Sequence, residues 1–102
     1  MSGYELDWAD ALVLDFDSSV RYMQKMHDEA AHSKSADGRD FAQRQGAATS
    51  NYLAGMDWAL RKVGGWGGNW EPGPDCTLPE RLVSAMLAAR KAGVDIAKEE
   101  NP

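Results

Sequence analysis

The sequence predicts an all-α fold: an elongated three-helix bundle of two long antiparallel helices and a shorter C-terminal helix, forming a single domain over 1–102. Three observations predict it. Apolar residues recur at steps of three and four over most of the chain, the period of a helix face. Glycine, proline and small polar residues gather at 33–38 and 64–77 and divide the chain into three. No β-branched run bounded by turn residues follows Val20, so a sheet has nothing from which to build a second strand.

The first helix is expected over about 5–34. Leu6, Ala9, Val13, Phe16, Val20, Met23, His27 and Ala30 form its apolar seam, widened by Leu12 and Met26. Asp7, Asp10, Asp17, Arg21, Lys25 and Asp28 fall off that seam. Ser2 with Glu5 has the spacing of a capping box, and Asp7 with Asp10 offers a second start. With about 26 residues wound, the helix spans roughly 39 Å. A compact 100-residue domain has a radius of gyration of about 13 Å. The bundle is therefore elongated, with apolar surface left at one end for a dimer or a bound partner.

The second helix is expected over 38–63, with Asp37 as N-cap and Asp40 three positions on. Its seam reads Phe41, Gln45, Ala48, Tyr52, Met56, Ala59 and Val63, with Leu53 and Leu60 adding width. Gly64-Gly65 supplies the left-handed residue at which helices commonly end. Gly46 and Gly55 each cost about 1 kcal/mol of helix propensity, and their expected role is close approach of the first helix. The third helix is expected over 78–97. Thr77 stands at N-cap, Pro79 in the first turn and Glu80 at the capping-box position. Leu82, Met86, Ala89 and Gly93 make its inner face, and the tail from Lys98 is expected to fray.

Charge narrows the function classes. The net charge is −5, and Glu5, Asp7, Asp10, Asp15 and Asp17 place five acids before the first base, Arg21. A chain so arranged offers no basic face to displace counterions from a nucleic acid. No apolar run approaches the roughly 20 residues that span a bilayer. The acidic front is the reverse of a secretory leader, and the single cysteine, Cys76, cannot form an internal disulfide. A cytoplasmic location is expected.

The stretch Leu12–Val20, "LVLDFDSSV", resembles motif I of the haloacid dehalogenase superfamily. That resemblance implies Asp15 as a nucleophile forming an aspartyl-phosphate, Asp17 as acid/base, and a magnesium ion beside both. A helix explains the same apolar residues together with their neighbours on both sides, and the stretch is assigned to helix. Glu29 and His32 share a helix face, as in carboxylate-bridged di-metal bundles, but such sites need a second motif and further glutamates. The second helix contains none. Cys76 lies between Asp75 and Thr77, with neither the base nor the positive surroundings of a reactive thiol. No catalytic residue, metal ligand or cofactor is therefore assigned.

The connection 64–77 is long for a helix bundle, where about two to eight residues are usual. It holds Trp66 and Trp70, and Pro72 and Pro74 restrict its conformations. Either the tryptophans cap the open end of the bundle, permitted by the glycines, or they anchor a partner. Trp8 and Trp58 are expected to pack within the helices. Trp66-Gly67-Gly68 and the chain length resemble the WXG100 proteins, acidic helical hairpins exported by type VII systems. In those the motif sits in a short central turn and a C-terminal tyrosine-based signal follows. No tyrosine follows Tyr52 here, and the family is not assigned.

The expected function is a small acidic protein-interaction protein without catalysis, an adaptor or an inhibitor occluding another protein's surface. A phage or mobile element encoding an inhibitor of nucleic-acid-binding machinery fits this class. The expected partner-binding residues are Trp66, Trp70, Pro72, Pro74, Asp7, Asp10 and Asp17, with another protein as partner and no direct contact with nucleic acid or membrane. The competing classes are a metal-dependent enzyme using Asp15 and Asp17, or Glu29 and His32, and a homodimeric structural protein.

Overall fold

In the computed structural model, which describes residues 7–100, those residues form three helices and no strand. The helices are α1 (Trp8–His32), α2 (Ala36–Val63) and α3 (Glu80–Glu100). None is long and apolar enough to cross a membrane.

Asp7 starts α1: its carboxylate accepts from the Ala9 amide at 3.3 Å, and its carbonyl accepts the Ala11 amide. The Ser2–Glu5 cap and Leu6 lie outside the described residues. Residues 12–20 are helical throughout, as the seam requires. Ala9, Phe16, Met23 and Met26 are buried, while Val13 and Val20 pack at the edge of the core.

A short connector, 33–35, reverses the chain. Its cap is Ser35 rather than Asp37: the Ser35 hydroxyl accepts the Gly38 amide at 2.9 Å, which draws Asp37 into the first turn. Tyr22 meets Gln45 and Asp15 meets Tyr52 across α1 and α2, so the two run antiparallel.

The seam expected for α2 is corrected. Phe41, Tyr52 and Val63 are exposed, while Ala42 and Leu53 are buried and Met56 and Leu60 pack against the core. The face that meets α1 is therefore rotated about one residue from the expected stripe, because α2 carries apolar residues on several sides. Gly46 lies on the inner face: a Cβ placed there would sit 3.6 Å from that of Met26, an ordinary contact distance. Gly55 faces open space and serves no close approach.

The left-handed residue that ends α2 is Gly65, at φ 68°. Gly64 is needed for a different reason: a Cβ there would lie 2.4 Å from Leu78 Cγ and 2.9 Å from the Leu60 carbonyl. Thr77 does not cap α3. Its amide and hydroxyl both donate to the Gly64 carbonyl, pinning the two ends of the long connection together. The Pro79 carbonyl instead accepts the Leu82 and Val83 amides and opens α3. The helix runs on to Glu100, past the fraying expected from Lys98.

Contacts from α1 to α3 fix its direction. Arg81, in the first turn of α3, bonds Asp7 and Asp10 at the start of α1. Glu99 and Glu100, at its end, flank the two ring nitrogens of His27. Thus α3 lies parallel to α1, and α1 is shared by two neighbours that touch each other far less. The extents of 50 × 35 × 16 Å express this. With helix axes about 8–10 Å apart, two layers fill the 16 Å thickness. The 35 Å width shows that α2 and α3 stand apart.

Candidate functional site

The space between α2 and α3 is an open groove with α1 as its floor. Two adjoining lobes of about 750 and 800 Å³ share Met23, Ser50, Gly93 and Ala97, so they form one channel. From Gln43 to Lys62 it follows α2 for about 28 Å at 1.5 Å per residue. Its surfaces are mostly apolar or small: Gly46, Ala47 and Ala54 on α2, Ala89, Gly93 and Ala97 on α3. Small residues at these positions let another backbone approach closely.

Trp58 stands on the α2 rim and is 64% exposed. The packing role expected for it does not hold, and Trp8, 56% exposed, is also outside the core. At the connection end the rim is basic. Lys62 lies 5.7 Å from the Trp58 ring centre, and the Arg90 guanidinium lies 4.5 Å from that of Trp70. Neither base is in an ion pair among the described residues. The opposite end carries Glu100.

The two loop tryptophans part company. Trp66 is 2% exposed, its ring stacked 4.2 Å from the Arg61 guanidinium and its Nε1 donating to the Asn69 carbonyl at 3.1 Å. The glycines turn it inward, so it caps the bundle and offers no anchor to a partner. Of the two roles expected for Trp66, this is the cap on the bundle's end. Trp70 remains 46% exposed against Arg90. Pro72 is half-buried and Pro74 exposed in the same loop.

Beneath the loop, Arg61 donates to Asp57 through Nε at 2.7 Å and to the Asn69 carbonyl through Nη1 at 2.7 Å. Asp57 Oδ1 and Arg61 Nη2 are buried without a hydrogen-bond partner. The pair closes the groove floor at the loop end, and a buried ion pair of this kind fixes geometry more than it adds stability.

The acidic residues expected to face a partner are differently employed. Asp7 and Asp10 clamp Arg81 at 2.6 and 2.5 Å, fastening α1 to α3. The hydrogen bond that Arg81 donates to Asp10, joined by the charges of both carboxylates, holds Arg81 above its already high ordinary value. These two acids tie α1 to α3 while about half of each side chain stays exposed. Asp17 is exposed and paired with Arg21 at 2.8 Å.

The aspartates and histidines do not converge. Asp15 accepts from the Tyr52 hydroxyl and from Ser19, while Asp17 turns to Arg21. That phenol is held above its ordinary 10.0, chiefly by its hydrogen bond to Asp15, with burial and the carboxylate's charge adding to it. His32 is bonded to Asp28 rather than joined with Glu29. Among the described residues no three His, Cys, Asp or Glu side chains are placed to share a metal ion.

Trp58 escaped the sequence reading because its step-of-four relation to Ala54 and Lys62 looks like ordinary helix packing. The groove itself depends on the angle between α2 and α3, which no local pattern encodes. Compared with known proteins, the chain matches no family model, no curated protein and no solved structure.

Proposed function

We propose that this chain is a non-catalytic protein-interaction protein, an adaptor or inhibitor, whose working surface is the α2/α3 groove. One observation carries the proposal: a long, mostly apolar channel with the exposed Trp58 on its rim, left uncovered by the described helices. Exposed tryptophans beside an apolar channel are what an interface core is built from. A helix or helix pair is the natural occupant, since a groove between two helices accepts a third as a ridge.

Gly93→Leu tests this. A Cβ at Gly93 meets nothing within 4 Å, and Gly93 lines both lobes, so a larger side chain has room to start and extends into the channel. Proteins retained from the native host by the wild-type chain are expected to be lost with Gly93→Leu and kept with Asp17→Asn. Identical retention by wild type and Gly93→Leu removes the groove from the account. Calorimetric titration with magnesium, manganese and zinc addresses the catalytic alternative. Stoichiometric binding abolished by Asp15→Asn or His32→Ala would overturn the non-catalytic reading.

A further inference from the structure

The groove carries features of both an insert and a receptor. Trp58 stands exposed on its rim, while the α2 residues lining the other lobe, Ala42, Gly46 and Ala47, are small. Lys62 and Arg90, which pair with no carboxylate among the described residues, make one end basic. Glu100 lines the other end, with Glu99 beside it; both rest on His27 yet are more than half exposed, and they make that end acidic. A surface whose two ends are opposite in charge and in relief is complementary to itself turned end over end.

We infer that a second copy of this chain covers the α2/α3 groove, related by a two-fold axis that places the basic end of each copy over the acidic end of the other. This rests on the groove being the working surface and makes a second copy its occupant until another protein displaces it. The axis crosses the channel near the residues shared by both lobes, Ser50 on α2 and Gly93 to Ala97 on α3. From there the levels follow by counting along the helices. Trp58 of one copy comes to the level of Ala42 to Gly46 of the other, and Arg90 to the level of Glu100. The alternative axis, along the groove, brings Lys62 and Arg90 of both copies together and is opposed by their charge.

Area agrees. The chain exposes 7094 Å² at 11.2 kDa. A compact monomer of that mass exposes about 5,700 Å². That surplus belongs to the whole open, elongated bundle, of which the groove is one part, and leaves room for the roughly 800 Å² that each partner gives to a standard interface.

Sedimentation equilibrium at roughly 100 μM, which populates a dimer of micromolar affinity, is the test. The wild-type chain is expected to be dimeric and to dissociate on dilution, more readily as salt is added. Gly93→Leu and, independently, Trp58→Ala are expected to weaken the dimer at least about tenfold, the scale of an interface tryptophan, with helicity and melting temperature retained. A monomeric wild-type chain overturns the dimer, while the groove reading stands or falls by its own capture experiment. A dimer indifferent to both substitutions also overturns it, because a different face is then joined.

Discussion

Removing the Trp66 side chain separates a core role from a binding role. Trp66→Ala deletes a ring that is 2% exposed, stacked on Arg61 and bonded through Nε1 to Asn69. Truncating a buried tryptophan costs about 3–5 kcal/mol. Part of this is the ring's contact with a largely desolvated guanidinium, about 1–2 kcal/mol by itself. Against a typical total of about 5–15 kcal/mol for a domain, the loss is a large share of the stability. At roughly 4–8 °C per kcal/mol for a chain of this size, the melting temperature should fall by about 12 °C or more. Trp70→Ala is the internal comparison, because that ring is half-exposed and costs about 1 kcal/mol or less. Urea and thermal unfolding followed by far-UV circular dichroism measure both. Equal, small losses for the two variants would refute the inward placement of Trp66 and return it to the surface.

Three further outcomes follow from particular contacts. Gly55→Ala and Gly93→Ala, where a Cβ meets nothing, should each raise stability by about 1 kcal/mol, whereas Gly64→Ala should lower it because Leu78 and the Leu60 carbonyl occupy the space. Asp57→Ala, which leaves Arg61 buried without its carboxylate, should cost about 3 kcal/mol, and Asp57→Leu combined with Arg61→Met should recover most of it. The Tyr52 phenol should ionise above its ordinary range and return toward it in Asp15→Asn, as ultraviolet titration reads. By linkage, the Tyr52–Asp15 bond supports the fold fully below the unfolded phenol's pKa and is lost as pH rises through the folded one.

The sequence showed α1 best. Its seam is continuous, and Phe16, Met23 and Met26 sit where the three-and-four spacing placed them. The boundaries set by Val63 and the Gly64-Gly65 turn were legible for the same reason, since a helix end has a local chemistry. The inner face of α2 was not legible. Its alanines, aromatics and glycines spread apolar character around the helix, and only packing against α1 selects Ala42, Gly46 and Leu53. Ion pairs distant in sequence were likewise hidden. Nothing near Asp7 announces Arg81, and nothing near His27 announces Glu99 and Glu100. Trp66 fell between the two cases, because a glycine-rich loop permits a tryptophan to fold back or to reach out. Its burial followed from a partner, Arg61, that sits in the preceding helix.

Hydroxyl-radical footprinting over a dilution series bears most directly on the claim that α2 and α3 leave an apolar channel uncovered. In the most dilute sample Trp58 should be oxidised several-fold faster than Trp66, at a rate comparable with exposed Trp8. As concentration rises, Trp58 should become protected while Trp8, outside the channel, does not. Trp58 protected to the same degree as Trp66 even at the lowest concentration would contradict the account, since α2 and α3 would then close on each other without a partner.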